Sequence, residues 1–520
     1  MKADREESRI PAAALFAIIF TVIFIAHFPL LRLPYFWDEA GYYIPAARDL
    51  WLTGSLIPNS TPSNAHPPLV MAYLALWWKI AGYSPFVTRT AMLAIAAFAL
   101  TGFFRLAQRI ANLEVAIAAT ACTAIYPIFF SQSSMAHVDL AAAAFIFWGL
   151  LAHVNERRAL AALSFSLAAL AKETAIIIPV ALFAWEVTGP HLTQYCARNS
   201  KARSTFLLVP ILPLALWYVY HYARTGYVFG NPEFFRYNVR GTLQPLRIVL
   251  AFLIRIWQAL GYMSLYLLTA AAALAMYLPA RTKPDAPERR PRIAIEIQLV
   301  FLAMTVIYTF AMAVIGGAVL ARYMLPIVPL MVLVWIATLW RRVEMWKVVV
   351  VIVGATFAVN LFINPPYGFS IEDNLAYRDY ILLHQNAEGF LEARYPMARV
   401  LTAWPANDEI TRPILGYVTR PLRVIRIEDF TADELMSAAE LRASFDVALV
   451  FSTKYEPAHS VLESWPAWQR TKTRFFGYHR DLPPPAAAQI LGGDIVYSES
   501  RNGQWIAVIE MQKAFEARVR

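Results

Sequence analysis

Residues 67–82 read "PPLVMAYLALWWKIAG", and whether this apolar run crosses a bilayer decides the orientation of everything after it. The chain around it has 520 residues, 58% hydrophobic and 16% charged; soluble domains average about 25% charged. Other apolar runs stand at 12–31, 86–106, 113–130, 138–153, 158–171, 174–187, 204–222, 258–280, 293–315, 323–340 and 345–363. If 67–82 does not cross, the basic loops fall on one side. They hold Arg105 and Arg109; Arg157 and Arg158; Arg198, Lys201 and Arg203; Arg281, Lys283, Arg289, Arg290 and Arg292; and Arg341, Arg342 and Lys347. The positive-inside rule makes that side cytoplasmic. Counting 67–82 as a span scatters basic loops onto both faces. The run therefore reads as a helix lying in the outer interface, a depth that suits Trp77 and Trp78.

The expected fold is a polytopic α-helical membrane protein with eleven spans, a cytoplasmic N-terminus and interfacial helices in a first external loop at 32–85. The net charge of +10 sits largely in short loops between apolar runs, where topology signals lie, so nucleic acid is not an expected partner. Cys122 lies in an apolar run and Cys196 in a basic loop, a pattern that gives neither a disulfide framework nor a metal site. After 363 the composition shifts. Short β-rich runs at 399–404, 422–427, 446–452, 494–500 and 504–511, with a helical pattern at 431–445, predict a small extracytoplasmic α/β domain over 364–520. Pro483–Pro485 is expected to mark a loop. In "AWPANDEITRPILGY" (403–417), Asp408 and Glu409 read as the acidic first turn of a helix capped by Asn407.

The stretch "PYFWDEAGYY" (34–43) puts two adjacent carboxylates, Asp38 and Glu39, just after the first span. On the same predicted face stand His66 before "PPL", His137 and Asp139 in "MAHVDL", Lys172 and Glu173 in "LAKETA", and Arg322 and Tyr323 in "ARYMLPIVPL". Ionisable groups near membrane depth are costly and tend to be paired or functional. Each has a plain structural reading too: a solvated acidic pair in an aromatic belt for 38–39, snorkelling anchors for Lys172 and Arg322, a helix N-cap for Asp139, and hydrogen-bonded structural histidines. Taken together they suit an anionic, lipid-borne ligand, with cations holding phosphate and a carboxylate taking a proton.

In order and spacing these stretches resemble a known family. "FWDEAGYYIPAARDLWLTGSLIP" is similar to the first external loop of integral-membrane glycosyltransferases of the GT-C fold. The similarity continues through "HPPLVMAYLALWWKIAG", "TRTAMLAIAAFALTGFFRLAQRI", "SQSSMAHVDLAAAAF", "LAALAKETAIIIP" and "ARYMLPIVPLM", over about residues 1–340. The group it most resembles is the glycosyltransferase 39 type, which includes protein O-mannosyltransferases and lipid A aminoarabinose transferases. The resemblance implies a catalytic membrane domain over 1–363 and transfer of a single sugar, with inversion, from a polyprenyl-phosphate-linked donor to a lipid or protein acceptor. It places that reaction at the outer face of a bacterial cytoplasmic membrane, in the service of the cell envelope. By position it makes Asp38 the general base with Glu39 beside it. Lys172, Arg322 and His66 become donor-phosphate ligands, and His137, Asp139, Glu173 and Tyr323 supporting residues.

Relatives of the aminoarabinose type often carry Lys before "PPL", where this chain has Ala65 and His66; the donor sugar therefore does not carry over. The "WWDYG" signature of oligosaccharyltransferases is absent from the sequence. No cofactor is expected, although Asp38, Glu39 and Asp139 offer oxygens to a divalent ion. The rival expectations are a polyprenyl-phosphate lipid transporter without transfer chemistry and a scaffold that binds a partner through its C-terminal domain.

Overall fold

The computed structural model describes residues 10–192, 204–232, 235–236, 240–283, 286–457, 460 and 464–512. Cys196, Arg198, Lys201 and Arg203 lie outside the described residues. The chain divides into two compact units, one of residues 1–31 and 46–361, the other of 32–45 and 362–520.

The first unit is helical and belongs in a membrane. Among the described residues, five helical stretches in it are long and apolar enough to cross one: Ala12–Leu30, Pro85–Ile110, Thr205–Thr225, Pro245–Ala275 and Ile295–Val314. Leu69–Ala81, Leu113–Ile125, Val138–Val154, Arg158–Ala171 and Trp346–Asn360 are apolar but shorter. At 1.5 Å per residue, the thirteen residues of Leu69–Ala81 extend roughly 20 Å, short of a hydrocarbon core of about 30 Å. Side-chain caps start two of the helices. Ser84 accepts from the Val87 N–H and Asn112 from the Val115 N–H, each satisfying one amide that the first turn leaves unpaired.

Between helices, small residues set the spacing. Val138–Val154 packs between Pro85–Ile110 and Arg158–Ala171, and its Gly149 lets the Phe165 ring lie where a Cβ would come within 2.6 Å of Cε1. Close backbone approach of this kind is how helices associate where lipid is as apolar as the side chains. Gly149→Val forces the buried Phe165 ring from its place; it is expected to destabilise the protein by about 1–3 kcal/mol, read as a lower melting temperature in detergent.

One predicted span needs correction. The run 258–280 is not one helix: the chain forms Pro245–Leu260, turns at 262–264, and resumes at Leu265–Ala275. The break sits where Met263 and Ser264 take positive φ values of 48° and 64°. It follows Gly261, against whose backbone the Trp257 ring packs so closely that a Cβ would meet it at 2.2 Å. Residues 245–257, placed largely outside a span on sequence, are helical.

The second unit is α/β. Its five-stranded sheet runs in the order 423–427, 399–403, 447–451, 504–511, 493–501. The first three strands are parallel and the last two add antiparallel. Val447–Phe451 is buried at every position, as a central parallel strand covered on both faces requires. The final hairpin turns on Asn502–Gly503, both at positive φ, the two-residue turn whose twist matches that of the strands. Pro484 opens a helix, Pro484–Leu491, where a loop was expected; a proline is accommodated in a first turn because its missing N–H has no intrahelical partner there.

Residues 32–45, expected within the membrane part, fold with this second unit. The reason is apolar burial. Tyr35 and Phe36 are fully buried, Phe36 meeting Tyr377 and Tyr380 at ring-centroid separations of 6.0 and 5.3 Å. The Tyr35 N–H donates to the Leu415 carbonyl, and the Tyr417 hydroxyl donates to the Tyr35 carbonyl at 3.0 Å.

Candidate functional site: a buried ionic cluster and an acidic turn

In the membrane unit, three separate stretches bring charge to one place. Asp139 stands in the first turn of Val138–Val154, Lys172 follows the end of Arg158–Ala171, and Arg322 lies in the short turn Ala321–Met324. All three side chains are buried. Lys172 Nζ donates to Asp139 Oδ1, and Arg322 Nε lies 3.3 Å from Asp139 Oδ2. His137, also buried, has Nδ1 2.7 Å from Gln132 Oε1, and Arg322 Nη1 lies 3.1 Å from that Nδ1 and 3.4 Å from Nε2. Tyr323 completes the group, its ring 3.7 Å from Lys172 Nζ. A cation over an aromatic face at that distance is attracted by the ring quadrupole.

The helix Pro245–Leu260 supplies what the sequence reading missed. Its buried positions are Arg247, Ala251, Arg255, Gln258 and Ala259, one stripe at helical spacing along an otherwise apolar helix. An apolar helix with two arginines and a glutamine on its inward stripe turns its polar side to the protein and its apolar side to lipid; that i, i+8 arginine spacing was the signal available. Arg247 Nη2 donates to the Gly316 and Gly317 carbonyls, Gln258 Nε2 to Val319, and Arg255 Nη1 to Leu320. These bonds hold the segment that delivers Arg322 and Tyr323. Arg89, also missed, is buried and donates to the Ser134 carbonyl at 3.2 Å.

Charge is unbalanced here. Lys172, Arg255 and Arg322 surround Tyr323, and the buried carboxylate among them is Asp139. Arg255 is fully buried, yet its Nε and Nη2 have no hydrogen-bond partner among the described residues. Buried guanidinium nitrogens are normally satisfied, so the cluster is arranged to receive negative charge. Removing Asp139 makes the imbalance worse. Asp139→Asn is expected to cost about 3–5 kcal/mol by removing the buried carboxylate that Lys172 and Arg322 both face, measurable as a loss of thermal stability in detergent.

His66 and Glu173 form a neighbouring pair, His66 Nδ1 to Glu173 Oε2 at 2.8 Å. The loop carrying His66 is fixed by helix Ile211–Thr225: Trp217 Nε1 donates to the Ala65 carbonyl, and Ser63 Oγ bonds His221 Nε2 at 2.8 Å. The five residues His137, Asp139, Lys172, Arg322 and Tyr323 are thus in contact, with His66 and Glu173 paired beside Lys172 in the chain.

Asp38 and Glu39 belong to the second unit and have different surroundings. Trp37 takes a left-handed backbone at φ 44°, Asp38 is helical, and Glu39–Tyr43 form a single wide π turn. Left-handed backbone at a bulky residue is costly and persists only where packing over-determines it. Here Trp37 packs against Trp404 and Tyr380 at 5.1 and 5.6 Å. Gly41 accommodates Trp404, whose ring a Cβ would meet at 2.9 Å. Glu39 is fully buried, and its Oε2 accepts from the Phe36 N–H at 2.9 Å, so it pins the turn. Asp38 is half-buried. The aromatic residues beside the acidic pair are in large part the core of this unit, not a membrane belt.

Asp408 and Glu409 stand in the first turn of a helix, as expected, but the Asn407 cap expected there is not formed. Helix Ala406–Thr411 follows Pro405 without a side-chain cap, and Asn407 lies inside it. Asp408 is buried opposite Arg412 and Arg426, and Glu409 is fully buried against His384.

With its polytopic helical membrane unit and its α/β unit, the chain has the fold of the GT-C glycosyltransferases. It is similar over 96% of its length to the crystal structure of apo ArnT from Cupriavidus metallidurans, covering 98% of that chain with a TM-score of 0.50 and 13% identity. The same protein bound to undecaprenyl phosphate gives a TM-score of 0.49 at 14% identity, over 95% of this chain and 97% of that one. The archaeal oligosaccharyltransferase AglB from Archaeoglobus fulgidus, in complex with an inhibitory peptide and a dolichol-phosphate, gives 0.46 at 11%, over 97% and 74%. At these identities the likeness is one of fold. No protein-family model and no curated protein matches the sequence.

Proposed function

We propose that the protein is an inverting glycosyltransferase that moves a single sugar from a polyprenyl-phosphate-linked donor to a lipid or protein acceptor. The reaction is assigned to the outer face of a bacterial cytoplasmic membrane, with the C-terminal unit periplasmic. The observation that carries this reading is the surplus of buried positive charge around Tyr323, where Lys172, Arg255 and Arg322 face one buried carboxylate. A phosphate monoester released from the anomeric carbon gains negative charge as the bond breaks, and fixed cations in a dry site lower that cost. Asp139 holds Lys172 and Arg322 in place. His66, held by Glu173, adds a donor to the phosphate or a sugar hydroxyl.

Asp38 is the base assigned by the resemblance, and the tight turn that carries it fixes its backbone. In the reaction the acceptor hydroxyl gives its proton to the Asp38 carboxylate while its oxygen bonds the anomeric carbon from the face opposite the phosphate. The C–O bond to phosphate breaks, and its electron pair leaves on the polyprenyl phosphate. Mass analysis of envelope lipids and glycoproteins from cells with and without the protein tests this. The expected result is one component lighter by one sugar residue when the protein is missing; identical envelopes would refute it.

A further inference from the structure

A second cluster of buried charge lies in the C-terminal unit, remote in sequence from the residues assigned above. His384 and Glu388 are one helical turn apart on Ala376–Arg394, so they share a face. Glu409 comes from the first turn of Ala406–Thr411. All three are at most 1% exposed. His384 Nδ1 is 2.6 Å from Glu409 Oε2 and 3.3 Å from Glu388 Oε1. One ligand atom from each residue can be chosen so that all lie within 4.8 Å of one another, the spacing of donors about a single ion.

We propose that His384, Glu388 and Glu409 bind one divalent transition-metal cation, zinc by the chemistry of the donors, as a structural site of the C-terminal unit. Two carboxylates in a dry interior carry two negative charges, and a dication cancels both. The second observation is that His384 Nε2, Glu388 Oε2 and Glu409 Oε1 are buried without a hydrogen-bond partner among the described residues. Three orphaned polar atoms in one cluster are expensive unless something accepts their lone pairs.

The donor set selects the ion. One imidazole nitrogen with carboxylate oxygens suits zinc and its neighbours. Calcium and magnesium need six or more oxygens or retained waters. A carboxylate binding through both oxygens supplies the fourth ligand. The site is closed, as structural zinc sites are.

Its effect falls on the acidic turn. Tyr380 stacks on His384 at 3.9 Å and also meets Trp37, while Trp404, just before the Glu409 helix, packs against Trp37 and Gly41. A metal joining the two helices fixes the aromatic wall on which Asp38 is mounted. The inference stands apart from the transferase reading.

The test uses the full-length protein in detergent, purified without a polyhistidine tag, stripped with a chelator and titrated with cobalt(II). The expected result is one cobalt per chain with the visible spectrum of four-coordinate cobalt, and a higher melting temperature with zinc than without. H384Q and E409Q should each weaken cobalt binding by about 1000-fold, beyond the roughly 10–100-fold of a lost outer-shell partner. E456Q, which removes a half-buried partner of the exposed Arg480, should bind as the wild type. A stripped wild type with no four-coordinate spectrum and no shift on adding zinc overturns the proposal, as does unchanged cobalt binding in H384Q and E409Q. Should those variants fold poorly, the wild-type titration decides alone.

Discussion

Asp38→Asn should reduce sugar transfer by about 10²–10⁴-fold, the contribution a positioned general base makes, while donor binding changes less than twofold. Asparagine keeps the shape of the side chain and removes its basicity. Asp38 is half-buried, and the fold of the turn is held by others: Glu39 accepting from Phe36, and Trp37 wedged between Trp404 and Tyr380. Folding stability should therefore change less than in Glu39→Gln, whose carboxylate is fully buried. Initial rates on a lipid-linked donor, alongside melting in detergent, read both quantities. Transfer at the wild-type rate would remove Asp38 as base. Glu39→Gln is the contrast: its loss should appear first as instability of the turn, because Glu39 is buried and bonded to backbone.

The second large effect is expected at the cations. Replacing Arg322 with Gln, or Lys172 with Met, removes charge-assisted hydrogen bonds worth about 1.5–3 kcal/mol each. Polyprenyl-phosphate binding should weaken by about 10- to 150-fold. The two differ from Asp139→Asn in their effect on folding. Either substitution leaves Asp139 paired to the remaining cation, whereas Asp139→Asn removes the carboxylate that both cations face. Lipid-binding titrations with melting curves for all three variants separate binding from stability. Wild-type affinity in both Arg322→Gln and Lys172→Met would place the phosphate elsewhere.

Much of this was legible in the sequence, for a physical reason. Apolar runs report burial in lipid directly, and period-two runs in the last 120 residues report a sheet; the strands stand where those runs are. Ionisable residues at the ends of apolar runs are costly enough to mark a site, and Asp139, Lys172 and Arg322 do meet. What was missed shares a cause. Arg247 and Arg255 sit inside an apolar helix whose polar stripe is read only when its start at 245 is known. His384 and Glu388 are one turn apart in a polar helix, a pattern common on solvated faces, and only burial marks them out. The aromatic residues around Asp38 have the composition of a membrane-interface belt and of a protein core alike. Packing against Tyr377 and Tyr380 distinguishes the two, and those partners lie more than 300 residues along the chain.

The central claim is that the cluster about Tyr323 holds a phosphate lipid whose bond to sugar is broken. The most direct measurement supplies purified wild-type protein in lipid nanodiscs with a polyprenyl-phosphate sugar and an envelope extract as acceptor. Free polyprenyl phosphate and glycosylated product are then quantified together, with the anomeric configuration of the product. Equal amounts of the two, with the configuration inverted from the donor, are predicted. Donor lipid that binds but keeps its sugar, or that crosses between leaflets of a vesicle intact, would contradict it.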